Sequence, residues 1–167
     1  MDRCQSIRWG VSEVSVVIRA AQATDLAAVE HLLRQTGLTT AGVADHIAEF
    51  LVAEDAGRIV ATAGLESYGR AALLRSVASD SACRGRGIPR ALVMRLLQQA
   101  EQRGVAEVYL LTTTAAGYFQ RFGFEPIARE GVSSEVRRSA EFEEACCDTA
   151  QAMRLILGAA GGRASRT

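Results

Sequence analysis

The segment Arg84-Gly85-Arg86-Gly87-Ile88 decides the fold of this chain. It follows an apolar run at residues 71–78, which is typical of a strand, and it opens a helical pattern over residues 89–102. A strand, a short glycine loop and a helix N-terminus form an anion site, because backbone N–H groups without helical partners point at the ligand and the helix dipole adds positive potential. The two arginines suit a pyrophosphate, since guanidinium pairs with phosphate in a bidentate manner. The segment therefore predicts a phosphorylated cofactor.

The composition is that of an ordinary globular chain and excludes several classes of function. Of the 167 residues, 49% are hydrophobic and 23% are charged, and 19 basic residues balance 19 acidic ones. A chain without a basic excess is not expected to bind nucleic acid. No apolar run reaches the roughly 20 residues of a membrane span, and residues 1–13 lack the apolar core of a signal peptide, so we expect a cytoplasmic protein without a membrane partner. The cysteines show no CxxC spacing, which predicts neither a metal site nor a disulfide framework.

Hydrophobic periodicity and turn residues predict a single α/β domain at residues 15–157, between a loose extension at 1–14 and a flexible tail at 158–167. The predicted elements are, in chain order, a strand at 16–19, a helix capped by Thr24 or Asp25 and ended by Gly37, a helix at 43–50, a hairpin of strands at 51–53 and 58–66, a strand at 70–78, a helix at 89–102, a strand at 105–111, a short helix at 115–121 capped by Thr114, a strand at 124–128, a charged helix at 133–145 and a strand near 152–157. Residues 105–111 are apolar on both faces apart from Glu107, as expected in the middle of a sheet. The strands on either side of helix 89–102 should therefore form a parallel crossover.

The glycine loop does not match the two commonest phosphate-binding motifs. A Walker loop needs Gly-Lys followed by Ser or Thr, which is absent. A Rossmann fingerprint needs GxGxxG early in a βαβ unit, whereas these glycines follow four predicted strands and no third glycine comes after them.

The element order β, α, α, β, β, β, glycine loop, α, β, α, β, β resembles the fold of the GCN5-related N-acetyltransferases (GNAT). The loop resembles the R/Q-x-x-G-x-G/A motif of that family, with Arg84 first and Gly87 fourth. Pro89 replaces the last Gly or Ala; proline is tolerated in the first turn of a helix but removes one donor. The resemblance implies a mixed, mostly antiparallel twisted central sheet of six to seven strands, flanked by helices, with a β-loop-α crossover that binds the cofactor.

A second motif supports this resemblance. The family often carries A-x-x-x-Y-x-x-x-G-F, which is similar to the segment from Ala115 to Gly123-Phe124 here. The tyrosine position holds Phe119, and Tyr118 lies one residue earlier, about 100° around the helix. In the family that tyrosine often protonates the departing CoA thiolate. Tyr118 is therefore the candidate acid, and the alternative is that this chain lacks one.

The resemblance implies acetyl-CoA as cosubstrate. It also implies which residues contact acetyl-CoA. The pantetheine arm would be held by the main chain of Ser76, Val77 and Ala78. The pyrophosphate would be held by the glycine loop, Arg84, Gly85, Arg86, Gly87 and Ile88, and the cofactor would be flanked by Arg90, Thr113 and Phe119. The alternative interpretation of the arginines is a solvated basic face.

A narrower resemblance is to the arsenic-resistance N-acetyltransferases, and it runs from about residue 16 to residue 157. It is carried by short segments at 37–38, 42–43, 50–53, 64–69, 72–76 and 109–114, by Glu141-Phe142 and by Cys146 and Met153. The subfamily usually shows Cys-Pro where this chain has Cys146-Cys147. The resemblance implies detoxification by acetylation of the amine of a small molecule, an aminoaryl arsenical, by an enzyme that can form homodimers.

The acceptor amine must attack the thioester in its neutral form. An alkylamine, with a pKa of about 10, needs a general base, whereas an arylamine is already neutral at pH 7. Glu66 is the candidate base, acting directly or through a water, and its alternative role is that of a solvated carboxylate at a strand end. The N–H of Val77 is the family-like donor to the oxyanion.

Three further residues are candidates for substrate binding. Arg75 lies in a strand that should be mostly buried, so it needs an anionic partner: an arsenical oxyanion, a substrate carboxylate or Glu66. Tyr68 is either an aromatic wall or a turn residue, and Arg70 is a weaker candidate. Cys146 and Cys147 are thiols that suit trivalent arsenic or are ordinary free cysteines.

Two other functions remain open from the sequence. The same fold can acetylate a peptide N-terminus, a lysine or an amino acid. The replaced tyrosine position also allows a non-catalytic sensor that binds CoA.

Overall fold

The computed structural model describes residues 16–144 and 149–158. The predicted N-terminal extension, all of the predicted tail except Gly158, and the arsenic-binding candidates Cys146 and Cys147 lie outside these residues. The strands are β1 (Val16–Ala20), β2 (Phe50–Asp55), β3 (Arg58–Tyr68), β4 (Ala71–Ser79), β5 (Glu107–Thr112), β6 (Glu125–Ile127) and β7 (Gln151–Ile156). The helices are α1 (Leu26–Gln35), α2 (Val43–His46), α3 (Ile88–Gln102), α4 (Ala116–Gln120), α5 (Ser134–Arg137) and α6 (Ala140–Glu144).

The seven strands form one mixed sheet in the order β1-β2-β3-β4-β5-β7-β6. β1 with β2, β2 with β3, β5 with β7 and β6 with β7 are antiparallel pairs. β4 and β5 are parallel, and α3 lies in the connection between them. This arrangement confirms the predicted fold class, the mostly antiparallel sheet and the β-loop-α crossover.

One compact unit of the described chain comprises residues 16–65 and 76–96. Its core contains the predicted apolar stripe of α1, in which Val29, Leu32 and Leu33 are buried and Leu26 is partly buried. Phe50 belongs to the same core and pairs with Gly64 across the hairpin of β2 and β3. A Cβ at position 64 would overlap the ring of Phe50, so the packing requires glycine there.

The other compact unit comprises residues 66–75, 97–144 and 149–158 of the described chain. Its core combines residues of β4, β5, α5 and β7 with the loop residue Val132; the buried members are Ala71, Leu73, Tyr109, Val132, Val136 and Ala152. The middle of β5 is fully buried, as the apolar run in the sequence predicted. The parallel register pairs Ala71–Leu73 of β4 with Glu107–Tyr109 of β5.

Several predicted boundaries are wrong in detail. The helix predicted at 43–50 is α2 followed by a 3-10 turn at Ile47–Glu49, because Phe50 already belongs to the sheet. A 3-10 turn at Ala23–Asp25 precedes α1, and the Asp25 carboxylate accepts the N–H of Gln22 rather than capping α1. Before α4, the N–H of Ala115 donates to Oγ1 of Thr112, so the predicted cap at Thr114 is also incorrect.

The charged helix predicted at 133–145 is broken into α5 and α6. Ser139, which is buried, lies between them, and its Oγ accepts the N–H of Phe142 at 3.3 Å. A serine that satisfies the first N–H groups of a helix starts a new helix more readily than it continues an old one.

No helix in the described part of the chain is both long enough and apolar enough to span a bilayer.

Candidate active site

Ser76 interrupts the regular conformation of β4. Its φ of +57° lies in the left-handed region, which a serine rarely adopts inside a strand, and the residue is only 8% exposed. Such a conformation costs on the order of 1–3 kcal/mol, and it is kept where the surrounding structure or function requires it. Ser76 and the two residues that follow are those for which the sequence predicts main-chain contacts with the cofactor.

The glycine loop has the conformation that the sequence motif requires. Gly85 and Gly87 have φ values of +78° and +70°, where any residue with a Cβ is strained. The loop ends at the N-terminus of α3, a helix of 15 residues. Ile88 is buried and anchors the first turn, whereas the four preceding loop residues are exposed. The loop thus presents its backbone and the start of α3 to a ligand.

The three arginines of this region differ in their surroundings. Arg86 lies 3.6 Å from the carboxylate of Asp55 and donates weakly to the sulfur of Cys83. Arg84 and Arg90 are exposed, and among residues 16–144 and 149–158 neither forms an ion pair. Exposed guanidinium groups at a helix N-terminus fit a pyrophosphate. The residues present are therefore compatible with CoA, and their assignment to it remains a prediction.

α4 carries the residues of the second motif. Phe119 is buried, and its ring packs edge-on against Phe124 with centroids 6.1 Å apart. Tyr118 is half-buried and packs edge-on against Phe119 and Phe122. Thr113 is exposed in the preceding turn. Phe119 thus forms part of an aromatic cluster, and Tyr118 remains the candidate acid on this helix.

Glu66 and Arg75 form a fully buried ion pair. Nη1 of Arg75 donates to Oε1 of Glu66 at 2.7 Å, and the hydroxyl of Tyr68 donates to Oε2 of Glu66 at 2.6 Å. The Glu66 and Arg75 side chains are 1% and 0% exposed. The interpretation of Glu66 as a solvated strand-end carboxylate is therefore wrong, because β3 continues to Tyr68. Three anionic partners were considered for Arg75, and in the structure its partner is Glu66.

Glu141 on α6 joins this pair, although sequence analysis did not identify it as a site residue. Its Oε2 lies 3.4 Å from Nε of Arg75. Burial raises the pKa of Glu141 to about 7; the Arg75 guanidinium opposes this rise and the Glu66 carboxylate adds to it. Glu141 falls within a run of charged residues that is typical of a solvated helix, so only tertiary structure reveals it. We call Glu66, Tyr68, Arg75 and Glu141 the Arg75 cluster.

A cavity of about 450 Å³ lies in the same unit as the Arg75 cluster. Its wall contains two of the three predicted substrate residues, Tyr68 and Arg70. The wall also contains serine hydroxyl groups and glutamate carboxylates. Its lining residues are Tyr68, Arg70, Ala71, Ala106, Glu107, Ser133, Ser134 and Glu135. Tyr68 is shared by the cavity and the cluster, since its hydroxyl is bonded to Glu66. The remaining predicted substrate residue, Arg75, does not line this cavity.

The carboxylate of Glu107 in the cavity wall is held by its neighbours. The hydroxyl of Tyr109 donates to it, and a guanidinium nitrogen of Arg154 lies 4.0 Å from it. Burial raises the pKa of Tyr109, and the adjacent Glu107 raises it further. The cavity therefore presents a positive group, Arg70, and negative groups, Glu107 and Glu135, to a ligand.

Comparison with known proteins identifies the class to which this fold and loop belong. The acetyltransferase (GNAT) domain family matches residues 46–126. An amino-acid acetyltransferase of Mycobacterium tuberculosis is 32% identical over an alignment of 142 positions that covers 78% of this chain and 77% of that protein. An uncharacterized N-acetyltransferase of Chlorobaculum tepidum is 31% identical over 97 residues, 58% of this chain; the match spans 62% of the length of that relative.

Solved structures agree with this assignment. The crystal structure of Rv2747 from Mycobacterium tuberculosis in complex with CoA and NLQ superposes with a TM-score of 0.72 at 30% identity, covering 84% of this chain and 99% of that one. N-acetylglutamate synthase from Neisseria gonorrhoeae, complexed with coenzyme A and N-acetyl-glutamate, has a TM-score of 0.73 at 19% identity, which shows the shared fold; the match covers 87% of this chain and 36% of that one.

This chain belongs to the GNAT family of acetyltransferases. Membership confirms the predicted enzyme class, an acetyl-CoA-dependent N-acetyltransferase, and the predicted cosubstrate. The arsenic-resistance subfamily stays a prediction.

Proposed function

We propose that this protein transfers the acetyl group of acetyl-CoA to the primary amine of a free small molecule, with an amino acid as the favoured acceptor. The observation that carries this proposal is the match to an amino-acid acetyltransferase at 32% identity over 77% of that protein. The acceptor class is the step beyond family membership, because GNAT members share the cosubstrate and differ in the amine.

The cavity beside the Arg75 cluster supports an amino-acid acceptor. A free amino acid carries a carboxylate and an ammonium group. Arg70 is exposed in the cavity wall and suits the carboxylate, while Glu107 and Glu135 suit the ammonium. Ser133 and Ser134 add hydroxyl groups that donate and accept hydrogen bonds. A volume of about 450 Å³ is within the range of small-molecule pockets.

The second candidate acceptor is an aminoaryl arsenical. It is favoured by the segments that resemble the arsenic-resistance N-acetyltransferases, several of which lie in β3 and β4 around the Arg75 cluster. The burial of Arg75 between two carboxylates weakens its proposed role as a ligand of an arsenical oxyanion. An arylamine needs no base, however, so the chemistry alone permits this acceptor.

An acetyl-transfer assay that measures release of the CoA thiol separates these acceptors. The panel contains the free amino acids, simple alkylamines, aminoaryl arsenicals in both oxidation states, and peptides with free N-termini. We expect turnover of one or a few free amino acids. Turnover of arsenicals alone would support the second candidate, and turnover of peptides alone would overturn both. Binding of acetyl-CoA without turnover of any amine would identify a non-catalytic sensor.

A further inference from the structure

The Arg75 cluster contains two buried carboxylates and one guanidinium. Nη1 of Arg75 lies 2.7 Å from Oε1 of Glu66, and Nε of Arg75 lies 3.4 Å from Oε2 of Glu141. A charged pair at 2.7 Å is a strong hydrogen bond, whereas the longer contact is an ion pair of weaker geometry. When both carboxylates are ionised, the cluster therefore carries one excess negative charge in a desolvated setting.

The carboxylate of Glu141 is also incompletely hydrogen-bonded. Its Oε2 is buried, and within residues 16–144 and 149–158 it accepts no hydrogen bond. Buried acceptors in proteins nearly always have a donor, and an ionised carboxylate that lacks one is costly. A proton on Glu141, or a donor supplied by a ligand, removes this cost.

Glu66 is less exposed to solvent than Glu141. Both of its oxygens already accept hydrogen bonds, one from Arg75 and one from Tyr68, and the side chain is 1% exposed. Glu141, by contrast, keeps 13% of its side chain exposed. Of these two carboxylates, Glu141 is the better candidate to receive a proton.

We propose that Glu141 is the general base of acetyl transfer and takes the proton that the acceptor ammonium must lose. In this step an N–H bond of the ammonium breaks, its electron pair remains on nitrogen, and an O–H bond forms on Glu141. The neutral amine then forms the amide bond to the acetyl carbon as the C–S bond breaks, the second amine proton ends on the CoA thiol, and Glu141 returns its proton to solvent. The proposal rests on the proposed function, since an alkylammonium acceptor needs a base and an arylamine does not.

The electrostatics of the cluster suit this role. Among residues 16–144 and 149–158, the charged and titratable groups that face Glu141 are Arg75 from β4 and Glu66 from β3, with Tyr68 bonded to Glu66. Burial raises the pKa of Glu141 to about 7 against the attraction of Arg75, with Glu66 contributing to the rise. A base is most effective when its pKa lies near the working pH, because it is then both available and strong enough.

The test compares wild type, Glu141→Gln and the matched control Glu143→Gln, an exposed carboxylate on the same helix. For the amino-acid acceptor identified by the panel, kcat/KM is measured from about pH 5.5 to about pH 9. We expect the wild-type value to rise about tenfold per pH unit up to about pH 7 and then to level off. Glu141→Gln should lower kcat/KM about 100- to 10,000-fold and lose this limb. Glu143→Gln should match wild type, and all three should bind acetyl-CoA equally.

An arylamine acceptor provides an internal control, since its acetylation should fall by less than about tenfold in Glu141→Gln. The proposal is overturned if Glu141→Gln keeps the pH limb, or if wild type shows no limb near pH 7 with an alkylammonium acceptor. The wild-type profile can therefore overturn the proposal even if Glu141→Gln does not fold. Failure of wild type to acetylate any amine would instead overturn the proposed function, and this inference with it.

Discussion

The guanidinium of Arg75 lies 2.7 Å from the carboxylate of Glu66, and neither side chain is more than 1% exposed to solvent. The two residues lie on β3 and β4, neighbouring strands of the sheet. A buried pair of this kind contributes little net stability compared with apolar residues of the same size, but loss of one partner leaves an uncompensated charge. The pair therefore constrains what can be substituted in this part of the chain.

Arg75→Met should destabilise the protein by about 3–5 kcal/mol, because Glu66 would be left buried without its cation. Urea unfolding at neutral pH measures the change. The control is Arg34→Met, which removes an exposed pair with Glu30 on α1 and should cost less than about 0.5 kcal/mol. The double variant Glu66→Gln/Arg75→Met should recover part of the loss. A loss below about 1 kcal/mol for Arg75→Met would contradict the burial of an ionised Glu66.

Stability should fall between acidic and neutral pH because of Glu141. Burial raises its pKa from 4.5 to about 7 in the folded chain. A folded-state pKa above the unfolded value means that the folded chain binds the proton more tightly, so this contribution is fully present below about pH 4.5 and is lost as pH rises through about 7. The loss is on the order of 3 kcal/mol, from roughly 2.5 pKa units at 1.36 kcal/mol each.

Urea unfolding of wild type and Glu141→Gln at about pH 5 and about pH 8 measures this difference. Glu141→Gln should lose most of the pH dependence, and Glu143→Gln, the exposed neighbour, should retain it. Equal slopes in wild type and Glu141→Gln would show that Glu141 titrates at an ordinary carboxyl pKa.

The sequence predicted the sheet, the crossover and the cofactor loop because each depends on local signals. Apolar runs identify strands, and the glycines at 85 and 87 identify a loop whose backbone needs positive φ. Residues 43–50 and 133–145 were predicted less well. Phe50 belongs to β2 because it pairs with β3, and the helix at 133–145 is interrupted at Ser139; both features depend on tertiary packing.

The candidate site was predictable only in part. Arg75 was predicted to have an anionic partner because an arginine in a buried strand needs one, and Glu66 was one of the partners considered. Glu141 gave no such signal, since it lies 66 positions after Arg75 among other charged residues. Its raised pKa arises from burial by distant parts of the chain, which no local pattern encodes.

Arg84→Ala should weaken acetyl-CoA binding about 10- to 100-fold, because a guanidinium bound to phosphate contributes roughly 1.5–3 kcal/mol. Calorimetric titration with acetyl-CoA measures the affinity. Arg103→Ala is the matched control, since it removes the same charge just beyond the C-terminal end of α3 and should change the affinity less than about twofold. Equal effects of the two substitutions would show that Arg84 acts only through the overall charge of the protein.

Arg70→Ala should raise KM for an amino-acid acceptor about 10- to 100-fold, because it removes the guanidinium expected to hold the substrate carboxylate. The kcat and the affinity for acetyl-CoA should remain close to wild type. Steady-state kinetics with the free amino acid and with its carboxamide isolate the charge, since the carboxamide should lose little in the variant. Arg137→Ala removes an exposed arginine of α5 outside the cavity and should leave KM unchanged. An unchanged KM in Arg70→Ala would place the acceptor carboxylate elsewhere and remove the cavity from the substrate site.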